Sequence, residues 1–257
     1  MIGFFIKKAF FDGWDNLLGV AILNLGVILF FFLGWGSMGL GTTSPALAYA
    51  LAVLVLFLYS IYMGGLSHVT RGWANYEHDG WINFKEGIKR NFRHALLYFF
   101  VNLLMLTLTI FVIPFYFSMT AVFGLIVGIL LIWLEVALLL AFCYYWPLTE
   151  LLPGDRPLKT LKKCFVVLVD NMGFSLFFAL YRVFCLAFTI FTMGLLPGGG
   201  GLELAHQVAV KLLMLKYDYL EENEDADRRH LPWYDILYEE NEKVGPRSFK
   251  SMIFPWK

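Results

Sequence analysis

The chain reads as an all-α membrane protein, a bundle of six transmembrane helices. Three observations predict it. Hydrophobic residues make up 59% of the chain and charged ones 16%, with mean hydropathy +0.67, against about half apolar and a quarter charged in soluble domains. Several charge-free apolar runs reach the ~20 residues a bilayer crossing requires. The basic residues cluster in alternate connections, as the positive-inside pattern demands.

The first run, residues 17–35, follows Lys7 and Lys8 and has the form of a secretory signal. The small-residue stretch Ala46-Leu47-Ala48 lies too far beyond it to serve as a cleavage site. A second run, residues 46–66, begins at once, so a helical hairpin turned by Gly39, Gly41 and Pro45 is the simpler reading. A polar stretch from Thr70 to His94 then spaces Trp73, Trp81, Phe84, Ile88 and Phe92 at helical intervals among Lys85, Lys89, Arg90 and Arg93. That pattern predicts a cytoplasmic amphipathic surface helix.

The third span is expected at residues 95–113, turning at Pro114 into a fourth at 120–145. A second surface helix is expected over Pro157 to Asp170, with Lys159, Lys162 and Lys163 beside Leu158, Leu161, Phe165 and Val166. The fifth span, 173–195, ends at Pro197 and the glycines Gly198 to Gly201, which read as a flexible outside turn. Residues 202–217 are weaker: Glu203, Gln207 and Lys211, with His206 beside them, form a polar stripe suited to the bundle interior.

Charge placement favours a sixth crossing there. The turns near residues 38–45, 114–119 and 196–201 hold no Lys or Arg, and 18 of the 20 basic residues fall in the segments assigned to the cytoplasm. The expected organisation is a six-span bundle over residues 1–220 with both ends cytoplasmic, and a cytoplasmic tail over 221–257.

Several fragments in order resemble the YesL-like family of bacterial membrane proteins, a domain of unknown function, over residues 1–220. They are Leu23-Asn24-Leu25, Thr42 to Ala48, Asn83-Phe84-Lys85 leading to Lys89-Arg90-Asn91-Phe92, Tyr145-Trp146-Pro147-Leu148 before Leu158-Lys159, and the Leu196-Pro197 turn. Trp146 stands where the family would have phenylalanine, and the tail has no counterpart. The resemblance implies a six-helix bundle in the bacterial inner membrane with a loose association with carbohydrate uptake, and it brings no catalytic residues.

Glu135 and Arg182 lie at matching depth in their spans, ~15 Å into a ~30 Å core. An ionised side chain there costs about 3 kcal/mol, so the two are expected to pair, with Lys211, Asn24 and Asn102 in the same polar layer. That layer is either a proton or substrate site or a network fixing helix register. Cys143, Cys164 and Cys185 form no CxxC pattern and read as packing residues. His68, His78, His94, His206 and His230 have no metal-ligand spacing, so neither metal nor cofactor is expected.

No nucleophile elbow, P-loop or paired metal carboxylates occurs, and the segment Asn83 to Phe92 has only Glu86-Gly87 of a permease coupling loop. In the tail, the acidic run Glu221 to Asp227 precedes Trp233, Tyr234, Tyr238, Phe249, Phe254 and Trp256. These aromatics suit docking on the chain's own basic loops, the headgroup region, or a partner protein.

The zero net charge gives nucleic acid no electrostatic foothold. The leading expectation is a non-catalytic subunit or accessory protein of an inner-membrane, transport-related assembly, in contact with the bilayer and a protein partner. Second comes a small-molecule or lipid transporter or channel using Glu135, Arg182 and Lys211. A membrane enzyme ranks last.

Overall fold

The computed structural model describes residues 1–77, 80–223, 225–228 and 230–247; the side chains at 80 and 81 are not among those described. His78, the Trp81 side chain and the tail aromatics Phe249, Phe254 and Trp256 therefore lie outside the described part. Every element among the described residues is helical. Five helices there are long and apolar enough to cross a membrane, so the chain has the build of a multi-pass membrane protein.

Helix α1 (Ile2–Asp15) is amphipathic, with Phe5, Lys8, Ala9, Phe11 and Asp12 buried. It leads through Asn16 into α2 (Leu17–Gly39), which is apolar all round. Helix α3 (Pro45–Ala74) starts with proline in its first turn, where a missing N–H costs nothing. It packs antiparallel to α4 (Gly80–Thr107) over glycines. A Cβ on Gly65 would meet the Phe84 carbonyl at 2.9 Å, and one on Gly87 would strike His68 and approach the Gly64 carbonyl at 3.1 Å. Close backbone approach is thus the reason for glycine here.

This corrects one expectation. The first half of α4 is not a separate surface helix: it runs without a break into the third apolar run and is packed on α3, burying Phe84, Asn91 and His94. The turn expected at Pro114 is absent too. A π turn at Leu108–Val112 precedes α5 (Ile113–Ser118). Proline at the second position of α5 follows that widened turn, and the chain reverses only at Met119.

Helix α6 (Val122–Phe142) buries only Gly124, Gly128 and Ala141. It packs on α5 at its N-terminal end and on α7 (Tyr145–Leu151) and α8 (Pro157–Asp170) at its C-terminal end. Residues 145–150 of α7 are all buried, and Tyr144, Tyr145 and Trp146 are among the largest fully buried side chains. The helix α8 forms over the segment expected for a surface helix, turning Thr160, Cys164, Val167 and Leu168 inward and leaving Leu158, Val166 and Val169 exposed.

Helix α9 (Met172–Phe191) returns through a short turn to α10 (Gly198–Glu222). The four glycines are the first turn of α10 and not a flexible loop. Gly198 and Gly200 lie against Asn24, and Gly199 lies against Val27 at a spacing that leaves little room for a side chain. Helix α10 is the centre of the molecule: Val208, Ala209, Leu212 and Leu213 are fully buried, and it touches α1, α2, α3, α7 and α9. It is not among the five apolar helices.

The tail folds back as α11 (Trp233–Ile236) and α12 (Tyr238–Val244), burying Leu237, Glu240 and Val244. It docks on α1 and α10. Arg247 makes two 2.8 Å bonds to Asp15 and covers the Phe11 ring, and Lys7 donates to the Gly245 carbonyl at 3.0 Å. The first and last described helices are therefore neighbours.

Candidate functional site

Polar side chains inside the bundle form three groups. The deepest lies where α3, α6, α9 and α10 meet. On α10 the four-residue spacing of Glu203 and Gln207 puts both on one face. Gln207 Nε2 donates to Glu203 Oε1 at 3.1 Å and to Ser67 Oγ on α3 at 2.9 Å.

His206 Nδ1 bonds Glu203 Oε2 at 3.0 Å, which fixes the plane of its ring. That ring interacts with the thiol of Cys143, at the end of α6, while Nε2 has no hydrogen-bond partner. From α9, Arg182 Nη1 points at Cys143 Sγ, 2.7 Å away. The indole Nε1 of buried Trp146 and the Arg182 Nε also lack partners. Tyr59 and Tyr98 lie within electrostatic reach of both Arg182 and Glu203. A carboxylate, an imidazole, a thiol and a guanidinium thus follow one another in a water-poor interior where each contact is strengthened.

The second group surrounds Glu150 of α7, which is fully buried. It accepts from His68 Nδ1 at 2.8 Å and from Asn91 Nδ2, with Arg71 at 3.8 Å. Asn91 also donates to the Gly64 carbonyl at 2.9 Å, tying α4, α3 and α7 together. Between these two groups and the surface lies a cavity of about 180 Å³ lined by Arg71, Asn75, Glu150, Gln207, Lys211 and Asp218 among others. Gln207 lines it and is also bonded to Glu203.

The third group clasps the tail. Lys8 Nζ contacts Asp12 at 2.9 Å, Glu240 at 3.3 Å and the Tyr76 hydroxyl at 2.8 Å. Lys211 reaches Glu240 at 3.0 Å and the Ala74 carbonyl at 3.0 Å. Burial works against the Glu240 charge, but the ammonium groups of Lys211, Lys8 and Lys243 outweigh it and hold the carboxyl below its ordinary range.

The residues expected to share one midplane layer are separated. Glu135 is half-buried and bonds Thr109 of the π turn that follows α4; no cation pairs with it among the described residues. Arg182 meets Cys143 instead. Lys211 belongs to the tail clasp. Asn102 only donates to the Tyr98 carbonyl of its own helix, at 2.8 Å.

Asn24 is a joint. Its Nδ2 donates to the Leu195 and Pro197 carbonyls at 2.7 Å each, and its Oδ1 accepts from Gly200 N at 2.7 Å, so one buried amide holds the α9–α10 turn. Of the tail aromatics, Trp233 packs on the chain's own core, and Tyr234 and Tyr238 point outward.

Sequence reasoning missed Cys143 and His206 as partners and Glu150 altogether. The Glu203-x-x-His206-Gln207 stripe was the available signal for the first pair, and a lone acidic residue four positions after Trp146 was the signal for Glu150. Cysteine spacing gave no hint, because Cys143 meets its partners across helices.

The fold and these groups define a multi-pass helical membrane protein with a buried polar interior. Comparison of the chain with family models, with characterised proteins and with solved structures finds no match.

Proposed function

We propose that the protein is a non-catalytic integral membrane subunit, an accessory component of an inner-membrane assembly of the transport-related kind that the YesL-like resemblance implies. The observation that carries this reading is α6. It is some 30 Å of apolar helix with three buried residues, and it bears Glu135 on a half-buried face where, among the described residues, Thr109 is its one hydrogen-bond partner. A carboxylate facing lipid costs about 3 kcal/mol. A helix from a partner protein, with a cation or amide for Glu135, removes that cost and covers the bare surface.

The transporter reading draws on Glu135, Arg182 and Lys211 acting in one layer, and these three have different partners. The test is purification from native membranes in mild detergent, with stoichiometric companions identified by mass spectrometry. The wild type is expected to bring a membrane protein with it, and Glu135→Leu to lose that companion while remaining folded. A wild type that purifies alone and monodisperse would sink the proposal.

The proposed topology places both ends in the cytoplasm of a bacterial cell. Contact between α1 and α12 supports an even number of crossings, since an odd number would part the ends. The packing of Gly198–Gly201 on Asn24 supports four full crossings, by α2, α3, α4–α5 and α6, and a hairpin of α9 and α10 that enters from the cytoplasmic side and turns back. Beyond Asn24, α2 continues for fifteen residues to Gly39, ~22 Å of helix. Were α9 and α10 full spans, that stretch, with Phe31, Phe32 and Trp35 exposed, would stand in water.

A further inference from the structure

We infer that Cys143 is a reactive thiol site whose co-reactant is a small peroxide. Four features of its surroundings carry this. The Arg182 guanidinium sits 2.7 Å from the sulfur. A cation in that place excludes a metal ion on the sulfur and matches a sulfur bearing negative charge, the nucleophilic form of cysteine. The second neighbour is His206, which lies within electrostatic reach of the thiol and whose buried Nε2 has no hydrogen-bond partner among the described residues. Third, Glu203 holds Nδ1 of that ring at 3.0 Å, completing the order nucleophile, base and orienting carboxylate. Fourth, Cys143 is almost fully buried, and that decides the size of the reactant. An acyl chain or a peptide has no way to the sulfur. Burial of that degree restricts the reactant to a neutral molecule little larger than water.

The step balances with hydrogen peroxide as oxidant. His206 takes the thiol proton at Nε2, and the sulfur attacks one peroxide oxygen. An S–O bond forms as the O–O bond breaks, and the departing hydroxide leaves as water with the proton from His206. Sulfur loses two electrons and becomes a sulfenic acid, and peroxide is reduced to water. Arg182 holds the charged sulfur before attack.

The other two cysteines are built-in comparisons. Cys164 is fully buried on α8, and burial pushes its thiol up. Cys185 on α9 interacts with Tyr181, and among the described residues neither a guanidinium nor an imidazole bonds its sulfur.

The experiment treats the full chain in detergent or nanodiscs at pH 7 with dilute hydrogen peroxide and dimedone, and quantifies the adduct at each cysteine by peptide mass spectrometry. Cys143 is expected to react about tenfold or more faster than Cys164 and Cys185, and His206→Gln to remove that advantage. Equal rates at the three cysteines, or an adduct at Cys143 only after denaturation, would overturn the inference. The comparison within the wild type stands even if the variant does not fold.

Discussion

Asn24 and Asn102 are the same amide in two apolar helices, and their roles differ because of what stands opposite. Asn24 faces the open end of the α9–α10 turn, where two carbonyls and the Gly200 N–H need partners away from water. Asn102 folds back on its own helix. Replacing Asn24 with alanine leaves three buried backbone groups unpaired, and a loss on the order of 3 kcal/mol follows from ~1–3 kcal/mol for each such group, partly relieved by relaxation. Asn102→Ala is expected to fall within ~0.5 kcal/mol of the wild type. Thermal unfolding of both variants in one detergent checks this, and equal losses would refute the distinction. The sequence alone could not separate them: each is a lone amide in an apolar run, and the difference rests on a contact some 170 residues away.

Among the elements, the α3–α4 pair depends on close backbones. A methyl group at position 87 would meet the His68 side chain, the Gly64 carbonyl and the Gly65 Cα, and two of these three are backbone that cannot swing away. Gly87→Ala is therefore expected to cost about 1–3 kcal/mol, read as a lower melting temperature.

The tail clasp makes a second element-level prediction. Glu240 has a lowered pKa in the folded chain, so its stabilisation is present above the ordinary glutamate range, near pH 4.5 and upward, and is lost as pH falls through the lower folded value. Amide exchange of α12 should show protection at pH 7 that is lost as the pH falls below the ordinary glutamate range. Glu240→Gln should lose much of that protection already at neutral pH. Protection that stays constant from pH 7 to 3 would show that apolar burial of Leu237 and Val244, and not the ion cluster, holds the tail.

Elements were legible where lipid surrounds them. The runs that became α2, α3, α6 and α9 are long and apolar, and α2 and α6 bury only four and three residues, the pattern of helices that face lipid. Helix α10 was harder to read for the opposite reason: protein surrounds it, so it carries Glu203, His206, Gln207 and Lys211 on inward faces and dilutes its own hydropathy. The α4 boundary was misplaced because a basic amphipathic helix looks alike whether its apolar face rests on a membrane or on α3. The polar stripe of α10 was read correctly as facing inward, but its partners Cys143, Ser67 and Ala74 are tertiary facts with no local signature.

At the scale of the whole molecule the open question is how deep α9 and α10 go, and packing and charge pull on it differently. The uncharged turn at residues 196–201 suits the outside of a membrane as well as its interior, so the positive-inside pattern holds for six crossings and for four with a hairpin. Packing separates the two arrangements. The hairpin apex meets α2 at Asn24, Val27 and Ile28, about 10–17 Å along α2 from Leu17, roughly halfway through a ~30 Å core. A single cysteine placed at Met193 on the apex, on a background with the native cysteines replaced, is therefore expected to resist a membrane-impermeant maleimide from either side of intact cells or inverted vesicles. One placed at Gly41, in the turn between α2 and α3, is expected to react from outside. Labelling of position 193 from outside would establish a full sixth crossing and would mean that α2 is strongly tilted, since only then could both the apex and the far end of α2 reach the same face of the membrane.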